Sequence, residues 1–187
     1  MNLLESLKSY QPFHEQEEKD QKVMIDCLAS GKDFLTRDNL LAHFTASAWV
    51  VNQDHQKVLM CYHNIYKSWS WLGGHADGDS DLLHVALKEV EEESGLKARP
   101  VSEDIFSIEI LTVDGHIKRG AYVPSHLHLN VTYLLEADEA DALHEKPDEN
   151  SGVKWFDHQE VLRVPNEEWM IEHVYKKLEE RLMREGL

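Results

Sequence analysis

Glu89, Glu92 and Glu93 stand at i, i+3 and i+4 in a segment running from Leu82 to Gly95. If that segment is helical, 3.6 residues per turn place the three side chains within about a 100° arc, so three carboxylates converge on one point. Like charges at such spacings destabilise an isolated helix by a few tenths of a kcal/mol per pair, and a bound cation offsets that repulsion. Mg²⁺ or Mn²⁺ suits the donors, because these hard ions take carboxylate and carbonyl oxygens and leave positions for water and phosphate. The chemistry open to such a site is metal-assisted hydrolysis, in which the ion lowers the pKa of a bound water and stabilises charge on phosphoryl oxygens. A glutamate-rich helix face on its own is more often a solvated surface, so its neighbours must carry the argument.

Those neighbours have the right types. Gly73-Gly74 makes a turn ahead of the segment, Asp79, Ser80 or Asp81 can cap a helix, and Gly95-Leu96 is a usual stop. Leu83, Ala86, Leu87 and Val90 form an apolar stripe on a different face from the glutamates. Around this helix, His43 to Val51 and Val58 to Tyr62 alternate as strands about the turn Asn52-Gln53-Asp54-His55, predicting a hairpin. Ile105 to Val113 and His126 to Leu135 read as further strands, separated by a loop carrying Lys118, Arg119 and Tyr122. A short strand at Val153 to Phe156 precedes a C-terminal helix introduced by Pro165-Asn166, with Glu167 and Glu168 at its positive end. Glu15 to Ala29 is helical in pattern and stops at Ser30-Gly31. Mixed strands and helices without repeats or linkers predict one α/β layered domain, with residues 1–40 as an N-terminal helical arm, 43–160 as the core and 165–187 as the C-terminal helix.

The 187 residues carry a formal charge of −16, which argues against nucleic-acid polymers and anionic membranes as partners. An anionic small molecule would need a cation to approach this surface. Cys27 and Cys61, far apart and outside any CxxC pattern, indicate neither a disulfide framework nor a structural zinc site, and a reducing cytoplasm is the expected compartment. No apolar run approaches the roughly 18 residues of a membrane span.

Other polar groups give weaker signals. Asp77, Asp79 and Asp81 form D-x-D-x-D, but Leu82 and Lys88 stand where a calcium loop needs glycine and glutamate, so they read as turn and cap residues. His126 and His128 share one face of a strand, where they could contact substrate; a zinc site would need a third ligand that the spacing does not supply. Arg119 can grip a phosphate. Tyr122 belongs with Trp49, Tyr62, Trp69 and Trp71 among the aromatics able to stack on a base, of which one or two are expected to do so.

Residues 74–96 resemble the Nudix box, G-x5-E-x7-R-E-U-x-E-E-x-G-U with U aliphatic, matching at seven of its nine defined positions: Gly74, Glu89, Val90, Glu92, Glu93, Gly95 and Leu96. Ser80 replaces the first glutamate and Lys88 the arginine, which keeps the charge but loses the planar fork that grips a carboxylate. The resemblance implies a Nudix α/β/α sandwich with a mixed central sheet. It also implies a Mg²⁺- or Mn²⁺-dependent hydrolase that cleaves a phosphoanhydride of a nucleoside diphosphate linked to another moiety. Glu89, Glu92 and Glu93 would be metal ligands, joined by the Gly74 carbonyl, with one glutamate able to take the water's proton. Some members draw a further acid from the loop before the last strand, which here suggests Glu149. A homodimer is common in the family. Two rivals stand beside this reading: a nucleotide-binding module with a decayed box, and an isoprenoid-diphosphate isomerase, which would need a catalytic cysteine.

Overall fold

Strand β1, Ala42–Val51, is buried at every position, as a strand in the middle of a sheet must be. In this computed structural model, which describes residues 2–118 and 120–187, β1 pairs in parallel with β9, His126–Glu136, and antiparallel with β2, Lys57–His63. The strand order is β10-β2-β1-β9-β5, where β5 is Arg99–Pro100 and β10 is Asn150–Asp157. Three strands attach to this path: β3, Ser68–Ser70, on β2; β4, Leu72–His75, on β1; and β6, Ser107–Val113, on β9. A separate ribbon, β7 His116–Lys118 and β8 Ala121–Val123, fills most of the segment expected to be an open loop.

The sheet is mixed and covered on both faces, as expected. Helix α3, Leu82–Ser94, buries Leu82, Val85, Ala86 and Val90 against Phe44, Ala46, Leu129 and Val131. The buried stripe is therefore turned from the one predicted, since Leu83 and Leu87 are only half-buried, and Glu93 falls on the core side. On the opposite face, Trp49, Val58, Met60 and Phe156 pack against Val174, Tyr175, Leu178 and Leu182. These last belong to the C-terminal helical run of α5, Glu168–Met170, a π-helical turn, Ile171–Tyr175, and α6, Lys176–Glu185. A short helix α4, His158–Val161, links β10 to this run and starts with a capping box between Asp157 and Glu160. Among the described residues no helix is long and apolar enough to cross a membrane.

The N-terminal segment is helical, as expected, and packs against the domain. A first helix, α1, Leu3–Ser9, which the sequence pattern did not predict, and α2, Glu15–Ala29, bury Leu7 and Met24 completely. Helix α2 lies along β6, an edge strand, and Asp20 accepts the Ile110 N–H at 3.0 Å, so one edge donor is satisfied.

A buried charge network ties α2, β6 and α6 together. The Lys177 ammonium lies 3.0 Å from Glu17, 2.8 Å from Glu109 and 3.0 Å from the Ile108 carbonyl, which uses all three of its donors. Burial works against the charge on Glu17, yet Lys177, the Tyr10 hydroxyl and the Phe13 N–H outweigh it and hold its pKa below the usual carboxylate value. A depressed acid pKa stabilises the fold above the unfolded-state value and loses that contribution as pH falls through the folded one. Replacing Lys177 with Met leaves two carboxylates buried without their cation. Chemical denaturation should show a loss of about 3–5 kcal/mol at neutral pH, shrinking on acidification.

Candidate active site

The carboxylate cluster lies in the corner between β4 and α3; Gly73 and Gly74, expected to form a turn, are instead paired in β4 with Ser47 and Ala46, and the chain turns after them, at 77–78. β4 lies so close to β1 that a Cβ on Gly73 would collide with the Ala46 carbonyl oxygen and sit 2.7 Å from the Ser47 Cα, so this position must be glycine. The Gly73 N–H, facing the helix, donates to the Glu93 carboxylate at 2.9 Å. At Gly74 a Cβ would lie 2.5 Å from the Glu89 carboxylate. The missing side chain is the space that Glu89 occupies.

Helix α3 is capped at both ends by residues the sequence marked. The Asp81 side chain accepts the His84 N–H, an N-cap typically worth about 1 kcal/mol. Gly95 takes φ +76° at the C-terminus, where a Cβ would also strike His144. Asp77 and Asp79 act as turn residues: Asp77 is gripped by Arg37 at 2.7 and 2.6 Å, and Asp79 holds His84 at 2.7 Å. Ser80 is exposed, so the Asp79–His84 pair organises the loop at the position next to the missing glutamate.

The loop before β10 reaches the same corner. Buried Asn150 donates to the Glu93 carbonyl at 2.9 Å, and the His144 N–H donates to the Ser94 carbonyl, so the loop is anchored on the end of α3. This places Glu149 beside Lys146, whose ammonium lies 2.9 Å from Glu149 and 3.0 Å from Glu92. Lys88, at the arginine position of the box, sits 3.3 Å from Glu92 and 3.9 Å from Glu89. The structure thus brings all four predicted acids together, and adds Lys146, which the sequence did not single out.

Their environments differ. Burial, aided by Glu89 and Glu149 and opposed by the Gly73 N–H, pushes Glu93 up to about 8. Burial also raises Glu89, against the pull of Lys88, while hydrogen bonding to Lys146 lowers exposed Glu92. Lys146 is raised: burial opposes its charge, but Glu149 and Glu92 prevail. Carboxylates are the donor type a hard divalent ion takes, and Glu92 and Glu149 already hold the Lys146 ammonium between them.

The predicted substrate residues lie on a neighbouring cleft of about 870 Å³, reached from the corner by one step along β4, from Gly74 to His75. Tyr122, His126 and His128 line it, together with Arg37, His43, His75, Tyr66 and Trp169, which the sequence did not mark. Arg119 lies outside the described residues. The sequence marks His43 only as part of a strand; the parallel pairing that sets it opposite His128 joins segments far apart in the chain. Burial lowers the His43 pKa, with the Asn39 carbonyl opposing. Trp49 and Trp71 are core residues, and Trp69 packs edge-on against Phe156, so of the five expected aromatics Tyr122 alone lines the cleft. Cys61 is buried and its thiol is pushed up by burial, which removes the catalytic cysteine that the isomerase rival needs at this position.

The NUDIX domain family matches residues 41–178. The chain belongs to the NUDIX family. Among solved structures, it resembles a NUDIX-family hydrolase from Clostridium perfringens, at 21% identity and TM-score 0.53 over 73% of this chain and 96% of that one. A C. elegans Ap4A hydrolase aligns at 15% identity and TM-score 0.52 over 77% of this chain and 98% of that one. An ADP-ribose pyrophosphatase from Streptococcus suis gives 17% and 0.53 over 77% and 92%. These likenesses concern the fold. No curated protein matches the sequence significantly.

The raised Glu93 has a consequence for stability. Between its usual value of 4.5 and about 8, the folded protein holds a proton that the unfolded chain does not, so stability falls as pH rises through that window. Thermal melts in chelator should show Glu93→Gln equal to the parent near pH 4.5, progressively more stable up to about pH 8, and by a constant margin above it. A constant difference across the range would mean that Glu93 does not titrate this way.

Proposed function

We propose that the protein is a divalent-metal-dependent hydrolase that cleaves a phosphoanhydride bond in a nucleoside diphosphate linked to another moiety. The carrying observation is the gathering of Glu89, Glu92, Glu93 and Glu149 about the Gly73-Gly74 corner, with the Lys146 ammonium drawn between two of them. Glu89, Glu92, Glu93 and the Gly74 carbonyl would hold Mg²⁺ or Mn²⁺. When bound, the ion supplies an acidified water and positive charge opposite the phosphoryl oxygens. The protein's own part is to hold these oxygens in place. The Gly73 N–H fixes Glu93, the bare Cα of Gly74 admits Glu89, and Lys146 holds Glu149 beside Glu92 as a further carboxylate able to accept a proton.

The adjoining cleft suits a small nucleotide-type substrate. Its volume is that of a typical small-molecule site, and Tyr66, Tyr122 and Trp169 offer aromatic faces for a base. His126, His128 and Arg119 are the groups we assign to the polar parts of the substrate. The likeness to an Ap4A hydrolase and an ADP-ribose pyrophosphatase supports the same class of molecule.

A screen of nucleoside triphosphates, dinucleoside polyphosphates, nucleotide sugars and ADP-ribose with Mg²⁺ or Mn²⁺, reading phosphate release, tests this directly. At least one compound should be hydrolysed, and Glu89→Gln and Glu92→Gln should each lower kcat by about two orders of magnitude with the fold retained. Tight binding without cleavage of any compound would identify a binding module instead.

A further inference from the structure

The histidines on the floor of the cleft have an arrangement that the carboxylate chemistry does not use. His43 on β1 stands opposite His128 on β9, and His75 comes in from β4, where it pairs with Thr45. The alternation of a strand puts all three, with His126, on one face of the sheet. One ring nitrogen from each of His43, His75 and His128 lies within 4.8 Å of the other two.

The orientation of His43 is informative. Its Nδ1 is 3.2 Å from the Asn39 carbonyl oxygen, which can only accept, so Nδ1 carries the hydrogen and Nε2 carries a lone pair. That Nε2 is buried and has no hydrogen-bond partner. Buried polar atoms are nearly always satisfied, so a buried lone pair beside two other imidazoles calls for a ligand. A backbone carbonyl fixing the distal N–H is the arrangement that orients metal-binding imidazoles.

His126 repeats this feature. Its Nδ1 donates to the Pro124 carbonyl at 2.8 Å, so its Nε2 accepts, and the His128 Nε2 donates to it at 3.2 Å in the metal-free protein. Imidazoles packed this closely cannot all be charged, which counts against a purely cationic grip on phosphate.

We propose that His43, His75 and His128 form a second metal site, for a divalent transition ion of the Zn²⁺ class, distinct from the glutamate cluster. The all-nitrogen donor set selects such an ion over Mg²⁺, whereas the carboxylates at the corner select the reverse. Small side-chain movements close the separations of up to 4.8 Å to bonding geometry. Three imidazoles leave a coordination position for a non-protein ligand, and His126 stands against His128 as an additional donor. The inference does not depend on the proposed hydrolysis.

The test uses the full chain without a polyhistidine tag, stripped by chelator and titrated with Co²⁺ or Zn²⁺ alone. One equivalent of Co²⁺ should give the intense visible absorption of four-coordinate nitrogen ligation, and excess Zn²⁺ should displace it. His75→Ala and His128→Asn, checked for folding by near-ultraviolet circular dichroism, should weaken that binding at least tenfold, while Glu92→Gln should keep it. Absence of the cobalt spectrum in the parent, its persistence in both histidine variants, or its loss in Glu92→Gln would each overturn the site. A change in inorganic phosphate affinity without any cobalt spectrum would overturn it too, and would assign the cluster to anion binding.

Discussion

The close approach of β4 to both β1 and α3 is the constraint on which the rest of the site depends. Two missing Cβ atoms make it possible, and they act differently. At Gly73 a side chain would meet backbone, so the sheet itself could not close there; at Gly74 it would meet the movable end of Glu89. The first glycine is thus a condition of the fold, and the second decides where a carboxylate sits. Because Gly73 also donates to Glu93, a single dipeptide touches two of the three box glutamates.

The two faces of the sheet divide the labour. The face toward α3 is apolar and holds the helix in register with the glycine corner. The other face carries His43, Thr45 and Ser47 on β1, and His128, Asn130 and Thr132 on β9. Such a stripe is tolerable only if its groups are satisfied. Asn130 accepts from Thr45 and Ser47 and donates to Glu109 and Thr132, and Glu109 continues into the Lys177 and Glu17 network. The chain is covered there by α2 and α6, so the polar stripe is closed at one end and opens into the cleft at the histidine end. Stability and the proposed ligand chemistry therefore share one row of residues.

Local signals in the sequence are legible where local physics governs. The caps of α3, the hairpin of β1 and β2 and the alternation of β9 depend on neighbours within a few residues, and each formed within a residue or two of its expected place. The spacing of Glu89, Glu92 and Glu93 set a common helix face but not its burial. The packing of Leu82 and Val85 turned that face, leaving Glu93 buried and Glu92 exposed. Features made by chain segments distant in sequence were not legible: the histidine cluster requires β1, β4 and β9 to be adjacent, and Lys146 enters only because Asn150 anchors its loop to α3. The burial of Glu17 is likewise not legible in the sequence, because its partner Lys177 comes from the far end of the chain.

The central claim is that the bare Cα at position 74 sets the Glu89 carboxylate where a divalent ion can be held. Measuring Mn²⁺ affinity by electron paramagnetic resonance for Gly74→Ala against the parent tests it most directly. The added methyl should displace Glu89 and weaken Mn²⁺ binding by at least about tenfold, while the metal-free thermal midpoint stays within a few degrees of the parent. Undiminished Mn²⁺ affinity in a folded Gly74→Ala protein would contradict the claim.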